Sequence, residues 1–183
     1  TTFAYNLRRE VLQRLVSSGY DVVVACKYLS HVEALKALGV RLININIGRQ
    51  SKNPLSDMKL FLLILKLLHA ESPDVVLTNN IKSNIYGGMA CRLMGIRYMP
   101  NITGLGTAVE YPGLMQNLTV LLYKLGIAGA DCVFFQNEEN EQFFRTRRML
   151  SKHSRTCLLP GSGVNLQEHP PLTYPEGETV NFL

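Results

Sequence analysis

The sequence lacks tryptophan, closely spaced cysteines and any hydrophobic run long enough to cross a bilayer. Its four cysteines are Cys26, Cys91, Cys132 and Cys157. Because no pair or Cys/His group has the spacing of a metal site, we predict free, buried thiols in a reducing compartment and no bound metal. The longest apolar run, residues 60–68, is interrupted by Lys66 and is about half as long as a membrane span. No signal peptide is recognised at the start, so we expect a soluble, cytoplasmic protein.

The composition is that of an ordinary globular domain with one substantial core. Of the 183 residues, 46% are hydrophobic and 18% are charged. The formal net charge of +5 favours an anionic partner, which could be nucleic acid, phosphate groups or an acidic membrane surface. Since no nucleic-acid-binding motif is present, we expect no nucleic acid partner and favour the other two.

The hydrophobic pattern alternates between helix and strand along the whole chain. We predict helices over residues 7–18, 31–38, 56–70, 83–94, 114–128 and 138–147, with Asn6 as the cap of the first. We predict strands over residues 22–26, 41–45, 74–78, 97–102, 131–135 and 156–159. Strands that alternate with helices through short loops indicate a doubly wound, parallel, Rossmann-like α/β sheet.

The stretch 96–110 ends a predicted strand in a loop that holds two glycines, two threonines and a carboxylate. The residues of interest are Thr103, Gly104, Leu105, Gly106, Thr107 and Glu110. Ligands of open parallel sheets bind outside the carboxyl ends of the strands, and glycines there can adopt left-handed angles and let a ligand approach the backbone. A plain strand-to-helix turn is the alternative.

Polar residues follow two other predicted strands. Asn79, Asn80 and Lys82 follow strand 74–78, and Gln136 and Asn137 follow strand 131–135. These positions face the same edge of a parallel sheet as the glycine loop.

Two further features concern packing and charge. Gly87 and Gly88 weaken the helix 83–94, so we expect them to allow close packing against the sheet. A basic cluster predicts either a solvated face or a contact with anionic lipid. Its members are Arg145, Arg147, Arg148, Lys152 and Arg155.

A doubly wound unit normally opens with a strand, which a tight loop joins to the first helix. The pattern indicates that this chain begins within that loop. Residues 179–183 resemble the start of another strand. We therefore expect a domain over residues 1–166 that lacks its first strand, a linker over 167–178 and the start of a further domain at 179–183. The vacant position could be filled by residues 179–183 of the same or a neighbouring chain. The alternatives are that residues upstream of position 1 fill it, or that strands 22–26 and 74–78 pair directly.

Three segments resemble the N-terminal domain of retaining GT-B glycosyltransferases of the family 4 type, which build bacterial capsular and O-antigen polysaccharides. They are residues 6–10 (NLRRE), residues 72–82 (SPDVVLTNNIK) and residues 160–165 (PGSGVN). The glycine loop 103–106 is similar to that of members acting on polyprenyl-linked sugars.

The resemblance implies that this domain binds the acceptor while an absent C-terminal domain binds most of the nucleotide-sugar donor, with UDP-sugars favoured. It implies transfer with retention of configuration, no cofactor or metal, inactivity of the chain alone and peripheral contact with the inner face of the membrane. The loop 103–107 with Glu110 would bind the acceptor. Arg9, Lys82, Gly161 and Gly163 would lie on the phosphate side. Weaker candidates are Asn6, Asn79, Asn80, Gln136 and Asn137, and no catalytic residue is assigned.

Two other functions fit a doubly wound domain. One is the nucleotide-binding domain of a sugar-nucleotide epimerase or dehydrogenase, whose glycine fingerprint would lie before residue 1. The other is a non-catalytic sugar- or nucleotide-binding module.

Overall fold

The computed structural model describes residues 1–45, 54–106, 109, 112–151 and 154–171. The helices are α1 (Thr2–Ser17), α2 (Val32–Ala37), α3 (Pro54–Glu71), α4 (Gly88–Met94), α5 (Leu114–Ile127) and α6 (Glu138–Thr146). The strands are β1 (Val23–Cys26), β2 (Arg41–Asn44), β3 (Val75–Thr78), β4 (Arg97–Ile102), β5 (Cys132–Phe135) and β6 (Arg155–Leu158). A π-helical segment, Ser83–Gly87, leads directly into α4.

All strand pairs in the described residues are parallel, which confirms the predicted α/β class. β1 pairs with β2, and the remaining strands form a second sheet in the order β3-β4-β5-β6. β1 and β3 are not hydrogen-bonded to each other in the described part of the chain, so the predicted direct closure between them was wrong. Residues 179–183 lie outside the described residues, and the hypothesis that they pair in this position stays a prediction.

The larger hydrophobic core lies under the four-stranded sheet. The ring of Phe144 from α6 packs edge to face against Tyr123 of α5 and Phe135 of β5, with centroids 5.3 and 5.2 Å away. A smaller cluster, centred on Leu12 and Leu35, joins α1 and α2 to the first sheet. The apolar residues of the strands and of the helices packed on them thus form one large core and one smaller core.

Helix α1 begins earlier than the sequence pattern predicts. It starts at Thr2 rather than after Asn6, so Asn6 is an exposed residue within the helix and not its cap. Ala4 and Tyr5 pack against the smaller core, and this tertiary contact extends the helix toward the N-terminus. The arginines at positions 8 and 9 therefore lie in the second turn, away from the helix terminus.

The paired glycines allow two different close contacts. A Cβ on Gly87 would lie 3.3 Å from Cγ2 of Thr78 in β3, which is the predicted packing against the sheet. A Cβ on Gly88 would instead overlap the carbonyl oxygen of Gly126, so the second glycine packs against α5. Gly126 is also constrained, because an added Cβ would lie 2.6 Å from Cα of Ile85.

We expect Gly88→Ala to destabilise the fold by about 1–3 kcal/mol, since the methyl group must push the backbones of α4 and α5 apart. The matched control is Gly104→Ala, where an added Cβ meets no atom within 4 Å. Urea unfolding of both variants measures the difference. Equal midpoints for the two variants would contradict the close backbone contact.

Candidate functional site

The polar residues predicted from the sequence lie at the carboxyl edge of the four-stranded sheet. Because its strands are parallel, the segments that follow β3, β4, β5 and β6 leave the sheet at the same edge. This edge has two corners in the structure. One is formed by the ends of β3 and β4, and the other by α1 and the segments after β5 and β6.

At the β3–β4 corner, Asn101 presents a buried acceptor without a partner. Its Nδ2 donates to Oδ1 of Asn79 at 3.3 Å, and the hydroxyl of Thr103 donates to the Asn79 carbonyl at 3.2 Å. The Asn101 side-chain oxygen is buried and has no hydrogen-bond partner among the described residues. A buried acceptor without a donor is unfavourable, so a further hydrogen-bond donor at this oxygen would stabilise the corner.

A buried network beneath this corner holds the two strand ends together. The Thr78 hydroxyl donates to Oδ1 of Asn84 at 2.6 Å and lies 2.9 Å from the hydroxyl of Tyr98. Nδ2 of Asn84 donates to the Asn101 carbonyl at 3.1 Å. Burial raises the pKa of Tyr98 far above its ordinary value, so its hydroxyl stays protonated and donates to the Asn84 carbonyl.

The two glycines of the loop after β4 differ in their conformations. Gly106 has a φ of +65°, and an added Cβ would lie 3.3 Å from Cδ1 of Ile81. Gly104 has no left-handed φ and opens toward space, so the prediction of left-handed angles applies only to Gly106. The left-handed turn therefore requires glycine at position 106. At position 104 the backbone conformation does not require glycine, and the lack of a side chain would matter only if a ligand lies there.

Lys82 lies in an ion pair at the same corner. Its ammonium contacts Oδ1 of Asp57 at 2.6 Å, with both side chains largely buried. Burial and a hydrogen bond with Asp57 raise the pKa of the Tyr86 hydroxyl to about 12. Lys82 thus reaches the edge of the sheet with its charge compensated by α3, and its contact with a phosphate stays a prediction.

At the other corner the two neighbouring arginines have different surroundings. The guanidinium of Arg9 donates to Glu168 at 2.6 Å and to Glu10 at 2.8 Å, and these hydrogen bonds raise its pKa. Arg8 donates through Nη1 to the hydroxyl of Ser162 at 3.0 Å, while its Nη2 is buried without a partner among the described residues. Burial lowers the pKa of Arg8, whose guanidinium also donates to the Leu7 carbonyl at 2.9 Å and lies over the Phe3 ring.

Gln136, Gly161 and Gly163 lie beside Arg8. Nε2 of Gln136 donates to the Ser162 hydroxyl at 3.3 Å, which joins the end of β5 to the loop after β6. Gly161 and Gly163 have φ values of +84° and +73°, so both permit the turn around Ser162. The structure therefore brings these three predicted residues together with Arg8. The sequence pattern places Arg8 in the first helix, but only the neighbouring Arg9 was predicted to lie on the phosphate side.

The remaining predicted residues have other positions. Asn137 caps α6, since its side-chain oxygen accepts from the Asn140 amide at 2.8 Å. The Asn80 amide and carbonyl both contact the hydroxyl of Ser83, which forms the turn into the π-helical segment. Leu105 packs against the larger core. Thr107 and Glu110 lie outside the described residues. No group of three or more His, Cys, Asp or Glu side chains in the described ranges could hold a metal ion.

The chain matches the glycosyl transferase 4-like family over residues 3–137. It belongs to that family. The matched residues run from the start of α1 to the end of β5, and so include the complete β3–β4 corner.

A curated relative of this glycosyl transferase 4-like chain is an N,N'-diacetylbacillosaminyl-diphospho-undecaprenol alpha-1,3-N-acetylgalactosaminyltransferase from Campylobacter jejuni subsp. jejuni serotype O:2. The two are 28% identical over 179 residues, which are 95% of this chain and 47% of the relative. The chain therefore spans about half the length of the curated relative that it matches.

Solved structures confirm the predicted fold of a GT-B glycosyltransferase domain. Sucrose-phosphate synthase from Thermosynechococcus elongatus has a TM-score of 0.62 at 18% identity, over 87% of this chain and 42% of the other. MurG from Acinetobacter baumannii has a TM-score of 0.52 at 16% identity, over 89% of this chain and 43% of the other. A co-structure of S. aureus MnaA with UDP has a TM-score of 0.56 at 13% identity, over 94% of this chain and 46% of the other.

We expect Gly106→Ala to destabilise this glycosyl transferase 4-like domain by about 1–2 kcal/mol, because alanine must adopt the left-handed angles of the turn. Gly104→Ala should change stability by less than about 0.5 kcal/mol. Thermal and urea unfolding compare the two variants. A larger loss at position 104 would show that the loop has a different geometry.

Proposed function

We propose that this chain is the acceptor-binding half of a glycosyltransferase. The enzyme would move a sugar from a nucleotide-diphosphate donor, a UDP-sugar above all, to a polyprenyl-linked saccharide. Configuration at the anomeric carbon would be retained, and the reaction would serve polysaccharide biosynthesis. The observation that carries the proposal is the unpartnered Asn101 oxygen at the end of β4, followed three residues later by the open Gly104 backbone, in a chain of the glycosyl transferase 4-like family.

The β3–β4 corner supports binding of a sugar hydroxyl. A hydroxyl that donates to Asn101 would satisfy the buried acceptor, and the exposed Thr103 hydroxyl could contact a neighbouring sugar oxygen. The absence of a Cβ at Gly104 would let the sugar ring approach the main chain. The acceptor class comes from the name of the curated relative, which acts on a diphospho-undecaprenol-linked sugar.

The corner around Arg8 supports binding of a diphosphate. Its Nη2 has no protein partner among the described residues, and a guanidinium matches the geometry of phosphate oxygens. Arg9 already contacts two carboxylates, so we place Arg8 ahead of Arg9 as the phosphate-side cation. Cations and helix N-termini can stabilise a leaving diphosphate, so the proposed reaction requires no metal or cofactor.

We expect Gly104→Val to lower kcat/KM for the lipid-linked acceptor by at least about tenfold in a protein that carries both halves, because the side chain would displace the sugar from the main chain. Gly104→Ala should have a smaller effect, and both variants should unfold like the parent. Transfer of labelled sugar from a UDP-sugar measures the rates. Unchanged transfer by Gly104→Val would make the loop a plain turn, and transfer by residues 1–183 alone would contradict the acceptor-half proposal.

We expect Arg8→Gln to weaken binding of a diphosphate-bearing substrate by about tenfold or more, through loss of a charge-assisted hydrogen bond. Arg9→Gln is the matched control, since its guanidinium is held by Glu10 and Glu168. Arg8→Lys should restore part of the affinity by restoring the charge. Titration of the variants with UDP and with a diphospho-lipid analogue measures the change. A larger loss in Arg9→Gln would return the phosphate role to Arg9.

A further inference from the structure

The outer side of α5 carries an apolar stripe where a surface helix normally carries polar residues. Leu114, Leu118, Leu121 and Leu125 are 87%, 47%, 53% and 44% exposed. At 100° per residue these four positions fall within an arc of roughly 60°, along roughly 16 Å of the helix. The opposite side of α5 is buried against the core, so the helix is apolar on both sides.

Helices α3 and α4 extend this surface. Both α3 and α5 pack against α4, so the three helices lie side by side on one face of the sheet. On α3, Met58, Leu62 and Leu63 are 57%, 56% and 38% exposed, and Leu93 next to the end of α4 is 71% exposed. Isolated exposed leucines need no explanation, but a set on adjoining helices marks an interaction surface.

The charges on this surface are almost all positive. Lys59 and Lys66 of α3 and Arg92 of α4 are exposed, and Lys124 of α5 is half-buried. Neither α4 nor α5 contains an acidic residue. The two carboxylates of α3 contact cations from elsewhere, with Asp57 bound to Lys82 and Glu71 bound to Arg41 at 2.6 Å each.

We propose that the outer face of α3, α4 and α5 is a docking surface for an anionic lipid bilayer. Leucines with interspersed cations are the pattern of helices that lie in the plane of a membrane, with apolar side chains about 5–10 Å into the headgroup boundary. A second copy of the chain would bring cations against cations, which opposes self-association through this face. The proposal rests on the proposed function in one respect, namely that a polyprenyl-linked acceptor lies in a bilayer.

The position of this face relative to the candidate site supports the assignment. Each helix that follows a parallel strand begins at the carboxyl edge, so the first turn of α5 lies on the same side as the loop after β4. The most exposed leucine of the stripe, Leu114, is in this first turn. Docking through α5 would bring the acceptor corner next to the lipid surface from which a lipid-linked sugar projects.

The basic cluster predicted from the sequence is a weaker candidate for the same partner. Arg145 forms an ion pair with Glu141 at 2.6 Å, and Arg147 donates to the side chain of Gln116 at 2.7 Å. The first turn of α6 also exposes Glu138 and Glu139. This helix therefore combines both signs of charge and lacks a continuous apolar stripe on its exposed side.

Flotation of the purified chain with lipid vesicles tests the proposal. We expect binding to vesicles that contain phosphatidylglycerol, and weak binding to vesicles of phosphatidylcholine alone. The double variant L118E/L121E should reduce the binding constant by about tenfold or more. Lys59→Gln and Lys66→Gln should each reduce it roughly fivefold on the anionic vesicles only. Leu29→Glu is the matched control, because Leu29 is 68% exposed and lies outside the three helices.

Several outcomes would overturn the docking surface. The first is that the chain does not bind anionic vesicles. The second is that Leu29→Glu reduces vesicle binding as much as L118E/L121E does. The third is that the chain forms a concentration-dependent dimer, which L118E/L121E dissociates. Transfer assays separate this proposal from the proposed function. With a short-chain acceptor in solution, L118E/L121E should transfer like the parent, and with the acceptor in vesicles it should be slower. A parent protein that fails with both acceptors would instead contradict the transferase function.

Discussion

The backbone contact that the π-helical segment and the first residue of α4 make with α5 determines the geometry of the candidate acceptor site. Gly88 lies against the carbonyl of Gly126, and Gly126 lies against the main chain at Ile85, so neither helix can move outward without losing the contact. This contact fixes the position of Asn84 within the same segment. Asn84 in turn binds the Thr78 side chain and the Asn101 carbonyl, which join the ends of β3 and β4.

The same arrangement explains why a buried oxygen can stay without a partner at the site. The Asn101 amide nitrogen is already used by Asn79, so its oxygen cannot rotate toward another group without losing that bond. A site that holds an unsatisfied acceptor is less stable than one that pairs it, and binding sites commonly retain such groups for a ligand. The glycine contact that fixes Asn84 and the unsatisfied, buried oxygen of Asn101 therefore lie in one connected network.

The sequence predicts the strands and the edge of the sheet well, because buried parallel strands are continuous apolar runs and the polar residues after them are visible. All six strands lie within about two residues of their predicted positions. The π-helical turn and the early start of α1 could not be predicted, since both depend on tertiary contacts of Gly88 and Tyr5. The choice between Arg8 and Arg9 also depends on Glu168, which is distant in sequence.

Sequence patterns are least informative about residues that are apolar on every side of a helix. The five leucines of α5, at positions 114, 118, 121, 122 and 125, are compatible with a fully buried helix, and only the structure shows that one side faces out. The buried side is already committed to Tyr123, Val120 and Ile127 in the core. The exposed parts of the leucine side chains therefore contribute little to the packing of this domain. Because exposed leucines without a function favour aggregation, a surface that covers them in the working protein is the simplest physical reason for their presence.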